Sequence, residues 1–172
     1  MKLKLLLTAL LTTLSLHAVT VGEKPTTVTI EGDNGGRVDG SPWSSNTIKD
    51  SVFVMFYVDP DKKSVNEEFS KALKEKKYRE KGNFNSIAIV NLAATWKPNF
   101  VIEKILKSKQ EEFPKTTYVK DKASVLVKEW DLKDDASNVL IFDKNGKLLF
   151  YKSGKLDKAD TQKAFSLIEA NL

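Results

Sequence analysis

Residues 51–69 read SVFVMFYVDPDKKSVNEEF, and the fold turns on how they are parsed. Ser51 to Val58 is a continuous apolar run without alternation, the pattern of a strand buried on both faces. It stops at Asp59-Pro60-Asp61-Lys62-Lys63-Ser64, a charged loop with a helix expected directly behind it. Ser64 fits an N-cap and Glu67, three residues on, completes a capping box. Val65, Phe69, Ala72 and Leu73 then form the inner stripe of a helix ending near Gly82. A buried strand that passes into a helix through an exposed loop is where open α/β sheets place ligands.

The flanking sequence repeats the theme. Ser86 to Leu92 reads as a second buried strand, and Pro98 starts a second helix with Val101, Ile102, Ile105 and Leu106 facing inward. Thr116 to Asp121 reads as a strand, and ASVLVKEWDL (residues 123–132) as a short helix or irregular turn. Asn138 to Gly154 is a hairpin around Asp143-Lys144-Asn145-Gly146. Asp157 caps a last amphipathic helix carrying Ala164, Phe165, Ile168 and Leu172. Upstream, Thr26 to Gly40 reads as a further hairpin turning at Asp33-Asn34-Gly35-Gly36, and its glycines match no phosphate-loop spacing. Right-handed crossovers put helices on both faces of the resulting sheet. The expected class is α/β: a three-layer sandwich with a mixed central sheet and an extra N-terminal β-hairpin.

The chain opens with Lys2, Lys4 and an apolar run from Leu5 to Leu16, too short to span a bilayer. This is the pattern of a secretory signal peptide over residues 1–18, cleaved after Ala18. The competing reading is an uncleaved N-terminal anchor. The mature chain, residues 19–172, is expected to be one domain, periplasmic or secreted, with no stable membrane insertion. Losing Lys2 and Lys4 lowers the formal charge of +5 by two. Only Arg37 and Arg79 are arginines, so the basic charge is lysine dispersed among carboxylates, which argues against a nucleic-acid partner.

There is no cysteine, and the sole histidine, His17, sits in the segment to be removed. That excludes disulfide exchange, peroxidatic cysteine chemistry, His-assisted nucleophilic catalysis and Cys/His zinc sites in the mature chain. No cofactor and no metal are expected. Asp131, Asp134 and Asp135 match no calcium loop and read as solvated turn residues. Trp96, between a strand and a helix, reads equally as a partner anchor or as a side chain folded over the junction. Trp43 and Trp130 sit beside buried segments and read as core.

Several spaced features carry a resemblance. They are Trp43-Ser44-Ser45, Ile89-Val90-Asn91, Phe113-Pro114 and Trp130-Asp131-Leu132, followed by Ser137, Asp143-Lys144-x-Gly146 and Lys152-x-Gly154-x-Leu156. In order and spacing, from Thr26 to Leu172, the chain resembles the YtfJ family of exported bacterial proteins and, more broadly, the thioredoxin-like fold. In that fold a Cys-x-x-Cys pair sits where the first central strand meets its helix, with a cis-proline opposite. The resemblance lays Asp61 and Ser64 on the two cysteine positions and Ser137 on the proline position, a vacated redox site. A cis bond before a non-proline residue costs about 2.5–4 kcal/mol, so the Ala136–Ser137 peptide is expected to be trans.

What the resemblance implies is a binding module without redox chemistry. Its expected surface is Asp59, Pro60, Lys62, Lys63, Trp96, Ala136 and Asn138, and its expected partner an envelope protein or peptide. A helix N-terminus beside Lys62 and Lys63 would also suit an anion. The rival is a cysteine-free hydrolase using Ser64 and Asp61 with a lysine. A transcriptional-regulator label attached to some relatives is a third reading. Oligomeric state is not legible.

Overall fold

The computed structural model describes residues 18–172. The leader expected over residues 1–18 lies outside the described residues apart from Ala18. Among the described residues no helix is long and apolar enough to cross a membrane.

The apolar run that decides the fold is strand β4 (Val52–Val58). It pairs in parallel with β5 (Phe84–Asn91) on one edge and antiparallel with β7 (Ser137–Phe142) on the other. Outside them lie β6 (Thr116–Asp121), parallel to β5, and β8 (Leu148–Ser153), antiparallel to β7. Being interior, β4 and β7 have no face free for water, which is why their sequences lack polar alternation. The hairpin between β7 and β8 is held by Asp143, whose Oδ1 accepts from Asn145 N and Lys147 N at 2.8 and 2.9 Å. Gly146 supplies the left-handed residue at φ 78°.

Side-chain alternation sorts the helices. Val54, Val139 and Ile141 face α1 (Glu67–Glu75) and α4 (Lys158–Asn171), burying Phe69, Leu73, Ala164 and Ile168. Val90 and Tyr118, on that same face by register, meet α2 (Asn99–Glu112) through Ile102 and Leu106. Successive right-handed crossovers in one direction, β4 to β5 to β6, require α1 and α2 to share a face. The return to β7 puts α3 (Val125–Trp130) on the other, over Met55, Tyr57, Ile87 and Leu140. Trp43 and Trp130 are both in this second core, as expected. At the last helix, Asp157 and Asp160 form a reciprocal capping box.

Three local expectations are corrected. The glycine-rich segment is not the turn of a simple hairpin. An extra two-stranded antiparallel sheet does form near the N-terminus, from β1 (Thr29–Ile30) and β3 (Trp43–Ser44). The stretch between them, β2 (Gly35–Arg37), leaves to pair with β6 at the edge of the main sheet. Gly35 is needed for that approach, since a Cβ on it would lie 1.9 Å from the Lys120 carbonyl oxygen, and one on Gly36 would lie 2.7 Å from the Ser41 carbonyl oxygen. Ser64 does not cap α1. Residues 60–66 wind through a 3₁₀ turn and further turns first, and the helix begins at Glu67 behind Asn66. Val101 and Ile105 do not face inward with Ile102 and Leu106; they are exposed.

The glycine geometry gives a paired test. Gly154 also has positive φ, at 85°, but nothing lies within 4 Å of its would-be Cβ. Gly154→Ala is expected to lose about 1–2 kcal/mol of unfolding free energy, the left-handed penalty alone. Gly35→Ala should lose clearly more, because β2 must also come off β6. Urea denaturation of the two variants checks the ordering.

Candidate functional site

The parallel strands β4, β5 and β6 all end on one side of the sheet, where β7 begins. Among the described residues, six of the seven buried polar side chains gather at that end: Asp59, Asn66, Asn91, Asp121, Ser137 and Asn138. Buried polar groups need partners, so the chain must supply them there.

It does so by sharing side chains between strand ends. Asp121 closes β6 and turns its carboxylate onto the head of α3. It accepts from Ala123 N, Val125 N and Leu126 N at 3.2, 2.9 and 3.2 Å, and from the Tyr57 hydroxyl at 3.0 Å. Burial, and after it the Asp121 charge, holds the Tyr57 phenol far above its usual range, so it stays a donor. Asn91 closes β5: its Oδ1 accepts from Ser124 Oγ at 3.0 Å, and its Nδ2 donates to Asp134 at 3.0 Å. Asn138 donates to the Tyr57 and Lys133 carbonyls at 3.3 and 2.8 Å and accepts from the Tyr151 hydroxyl at 3.1 Å. Asn66, just before α1, donates to Ser137 Oγ at 3.0 Å and to Gly154 O at 2.9 Å, and accepts from Leu156 N at 2.9 Å. The strand-to-helix loop is thereby latched across β7 to the start of the β8–α4 connection.

Asp59 is the exception to this satisfaction. It is 2% exposed. Its N–H donates to Ala136 O at 3.0 Å, and its Oδ1 accepts from Asp61 N at 2.8 Å. Oδ2 is buried with no partner among the described residues. The group beside it is another carboxyl, Asp135, with Asp134 further off and Lys62 3.5 Å from Asp135 Oδ1. Burial first, then contact with Asp135, push the Asp59 carboxyl up to about 6, against the pull of Lys62. A proton on Asp59 turns the orphaned oxygen into a donor toward Asp135.

The sequence-derived site residues divide between surface and support. Asp61 is exposed and both its oxygens are engaged: the Thr95 hydroxyl donates to one at 2.9 Å and the Lys97 ammonium pairs with the other. Ser64 is exposed, its hydroxyl hydrogen-bonds to nothing among the described residues, and only its carbonyl is used, by Glu67 N at 3.2 Å. Asp61, Ser64 and a lysine are therefore not brought into one hydrogen-bonded group. Lys63 is exposed, Lys62 and Ala136 are half-buried, Pro60 is buried, and Asn138 is fully enclosed, shaping the surface from beneath. Ser137 is buried against Asn66, and no peptide among the described residues is cis, the Ala136–Ser137 bond included.

Sequence reading passed over Tyr57, Asn66, Asn91 and Asp121. The available signal was a polar residue ending an otherwise apolar strand, as Asn91 and Asp121 do. It also treated Trp96 in isolation. Trp96 is 86% exposed and continues onto Phe100 at 72%, Ile105 at 48% and Val101 at 38%. The Thr95 and Lys97 contacts to Asp61 hold this apolar surface beside the loop. A separate open groove runs between α1 and α4, floored by Phe69, Ala72, Leu156 and Phe165.

Comparison with known proteins adds three findings. A family profile described as "Bacterial protein of unknown function (YtfJ_HI0045)" matches residues 16–171. Among curated proteins, an uncharacterized protein of Haemophilus influenzae is 38% identical over 69 residues, 40% of this chain and 37% of the relative. A sucrose operon repressor of Vibrio alginolyticus is 40% identical over 42 residues, 24% of this chain and 45% of that protein. The matches thus span less than half of either relative. Among solved structures, a Chlorobium tepidum protein described as thiol:disulfide interchange protein DsbE superposes with TM-score 0.64 at 16% identity, covering 90% of this chain and 99% of the other. The thioredoxin domain of a Bacteroides vulgatus thiol-disulfide oxidoreductase gives 0.60 at 12% identity, covering 87% and 98%. At these identities the likeness is one of fold: the architecture is thioredoxin-like.

The Asp59 geometry predicts a pH dependence. Its folded value lies above the ordinary aspartate range near about 3.9, so its proton favours the folded state. That contribution is complete below about pH 4 and is lost as pH rises through about 6. Asp59→Asn, which keeps a donor without a charge, is expected to be more stable than the parent by roughly 1–3 kcal/mol at about pH 7.5 and to differ little at about pH 4.5. Denaturant unfolding at the two pH values measures this.

Proposed function

The chain belongs to the family of bacterial proteins of unknown function matched by YtfJ_HI0045, and from that membership and the thioredoxin-like fold we propose an exported, periplasmic binding module without catalytic activity. Its partner is a protein or peptide of the cell envelope, and its contact surface is the end of the sheet around Asp59 to Ser64 and Trp96.

The observation that carries this reading is the exposure of Trp96 directly beside the strand-to-helix loop, at the end of the sheet where open α/β folds hold ligands. Exposed tryptophan is costly to keep in water and is enriched among residues that dominate protein interfaces. The chemical repertoire agrees: no cysteine exists anywhere in the sequence, and the only histidine is His17. Proteins of this fold whose names record thiol–disulfide exchange use a group that this chain does not possess. Export is supported by Lys2, Lys4 and the short apolar run that follows. No observation favours the hydrolase, since Asp61 is committed to Thr95 and Lys97. The short repressor match and a charge of dispersed lysines do not favour a nucleic-acid role.

The test is site-specific photocrosslinking in living cells with the probe at Lys63, compared with a probe at Lys163 on the outer side of α4. A discrete adduct at Lys63 and none at Lys163, with the protein in the periplasmic fraction, is expected. Cytoplasmic retention, equal labelling at both probes, or turnover of a dithiol or peroxide by the purified domain would overturn it.

A further inference from the structure

The exposed face of α2 carries more than a lone anchor. Phe100, Lys104, Lys107 and Glu111 lie along one row of the helix, at spacings of four, three and four, and Val101, Ile105, Ser108 and Glu112 along the next. The first two turns therefore present Phe100, Val101 and Ile105 to water next to Trp96, with Lys104 between them. Exposed apolar side chains scattered singly need no explanation, but four on one helix and its lead-in form a continuous patch.

On the first turns of the helix the charge left without an ion pair is basic. Lys104 and Lys107 make no ion pair among the described residues, whereas Glu103 is tied to Lys122 at 2.8 Å. Pro98 offers no side-chain cap, and the first turn contains no acidic residue, so the positive end of a fourteen-residue helix is left uncompensated there. The apolar patch thus lies in a positive field built from two independent sources, lysine side chains and backbone dipoles. We propose that Trp96, Phe100, Val101 and Ile105, with Lys104 and Lys107, form a docking face for an acidic segment of another protein that carries interspersed apolar side chains. This rests on the binding reading above and names the chemistry of the partner.

Two other occupants fit less well. An anionic bilayer would meet Glu111 and Glu112 at the far end of the same rows, unfavourably placed against lipid phosphate. A second copy packed two-fold on this face would set its lysines and positive helix end against their own equivalents.

Trp43 and Trp130 are buried, so the fluorescence response of the protein to an added surface ligand reports on Trp96. The probe is a synthetic peptide alternating glutamate with leucine and phenylalanine, compared with its Glu→Gln counterpart and with phosphatidylglycerol–phosphatidylethanolamine vesicles. The acidic peptide is expected to shift Trp96 emission and the backbone amides of residues 99–108. Affinity should fall at least tenfold for the Gln peptide and for the double variant Lys104→Glu/Lys107→Glu. Phe100→Ser/Ile105→Ser, both exposed positions, should lose binding with helix content and unfolding midpoint retained. Vesicles should leave the emission unchanged, and the mass should stay that of a monomer. Equal binding of both peptides, a vesicle-induced blue shift, or self-association lost in Phe100→Ser/Ile105→Ser would overturn the proposal. Peptide shifts confined to residues 59–64 and 133–138 would overturn it and leave the binding reading standing. Failure of the Lys63 crosslink alongside intact peptide binding to α2 would do the reverse.

Discussion

Strand β4 is hydrogen-bonded along both edges, in parallel to β5 and antiparallel to β7, and the rest of the molecule is arranged by that double commitment. A strand so placed has no edge and no face for solvent. It can be satisfied only if helices cover both sides and if its last residue delivers the chain into a turn. The turn therefore emerges at a fixed point, and α1 must start there. The same constraint puts the ends of β5 and β6 alongside it. What a sheet of this type cannot do is supply hydrogen bonds to the polar groups stranded at its exit.

The side chains at those ends meet that need. Asp121 serves three backbone N–H groups and a phenol, Asn138 serves two carbonyls and a second phenol, and Asn66 spans from the loop to the far hairpin. A region of this kind is stiff beneath and polar inside, with its variable chemistry displayed in the loops above. The thioredoxin-like proteins on which this chain superposes include ones named for thiol–disulfide exchange. In this chain the loops bear a tryptophan, lysines and an aspartate held by Thr95 and Lys97. Fold and reaction are separable: this chain has the frame and no cysteine.

How much was legible follows from which interactions are local. Strands β4 and β7 could be read directly because burial on both faces leaves an apolar run, and β5 because its one buried face and one half-buried face leave a run nearly as apolar. The Asp143–Gly146 turn and the Asp157 cap were equally plain, since each is satisfied within a few residues of itself. Ser64 misled because a capping box is a local pattern, whereas the loop's true fastening, Asn66 to Ser137 and Leu156, joins residues far apart in sequence. Gly35 and Gly36 looked like a turn because Gly35's reason for being glycine is the carbonyl of Lys120, and β6 is distant in the chain; Gly36 is pressed against the Ser41 carbonyl instead. Val101 and Ile105 match an inward stripe by period, but α2 crosses the sheet margin and has only a narrow strip to bury. The partnerless Asp59 oxygen could not be foreseen, since it depends on which loop β7 brings opposite.

The short β2 strand carries a consequence for how this protein can be approached. An open sheet rim attracts further strands, from unfolded neighbours or from extended ligands, because its amides and carbonyls point outward unpaired. Here the rim at β6 is occupied by three residues, two of them glycines pressed too close for any side chain, after which the backbone turns into a separate small sheet. That flap leaves little straight backbone for an incoming strand to follow. Recruitment by main-chain zippering is discouraged on that side of the sheet.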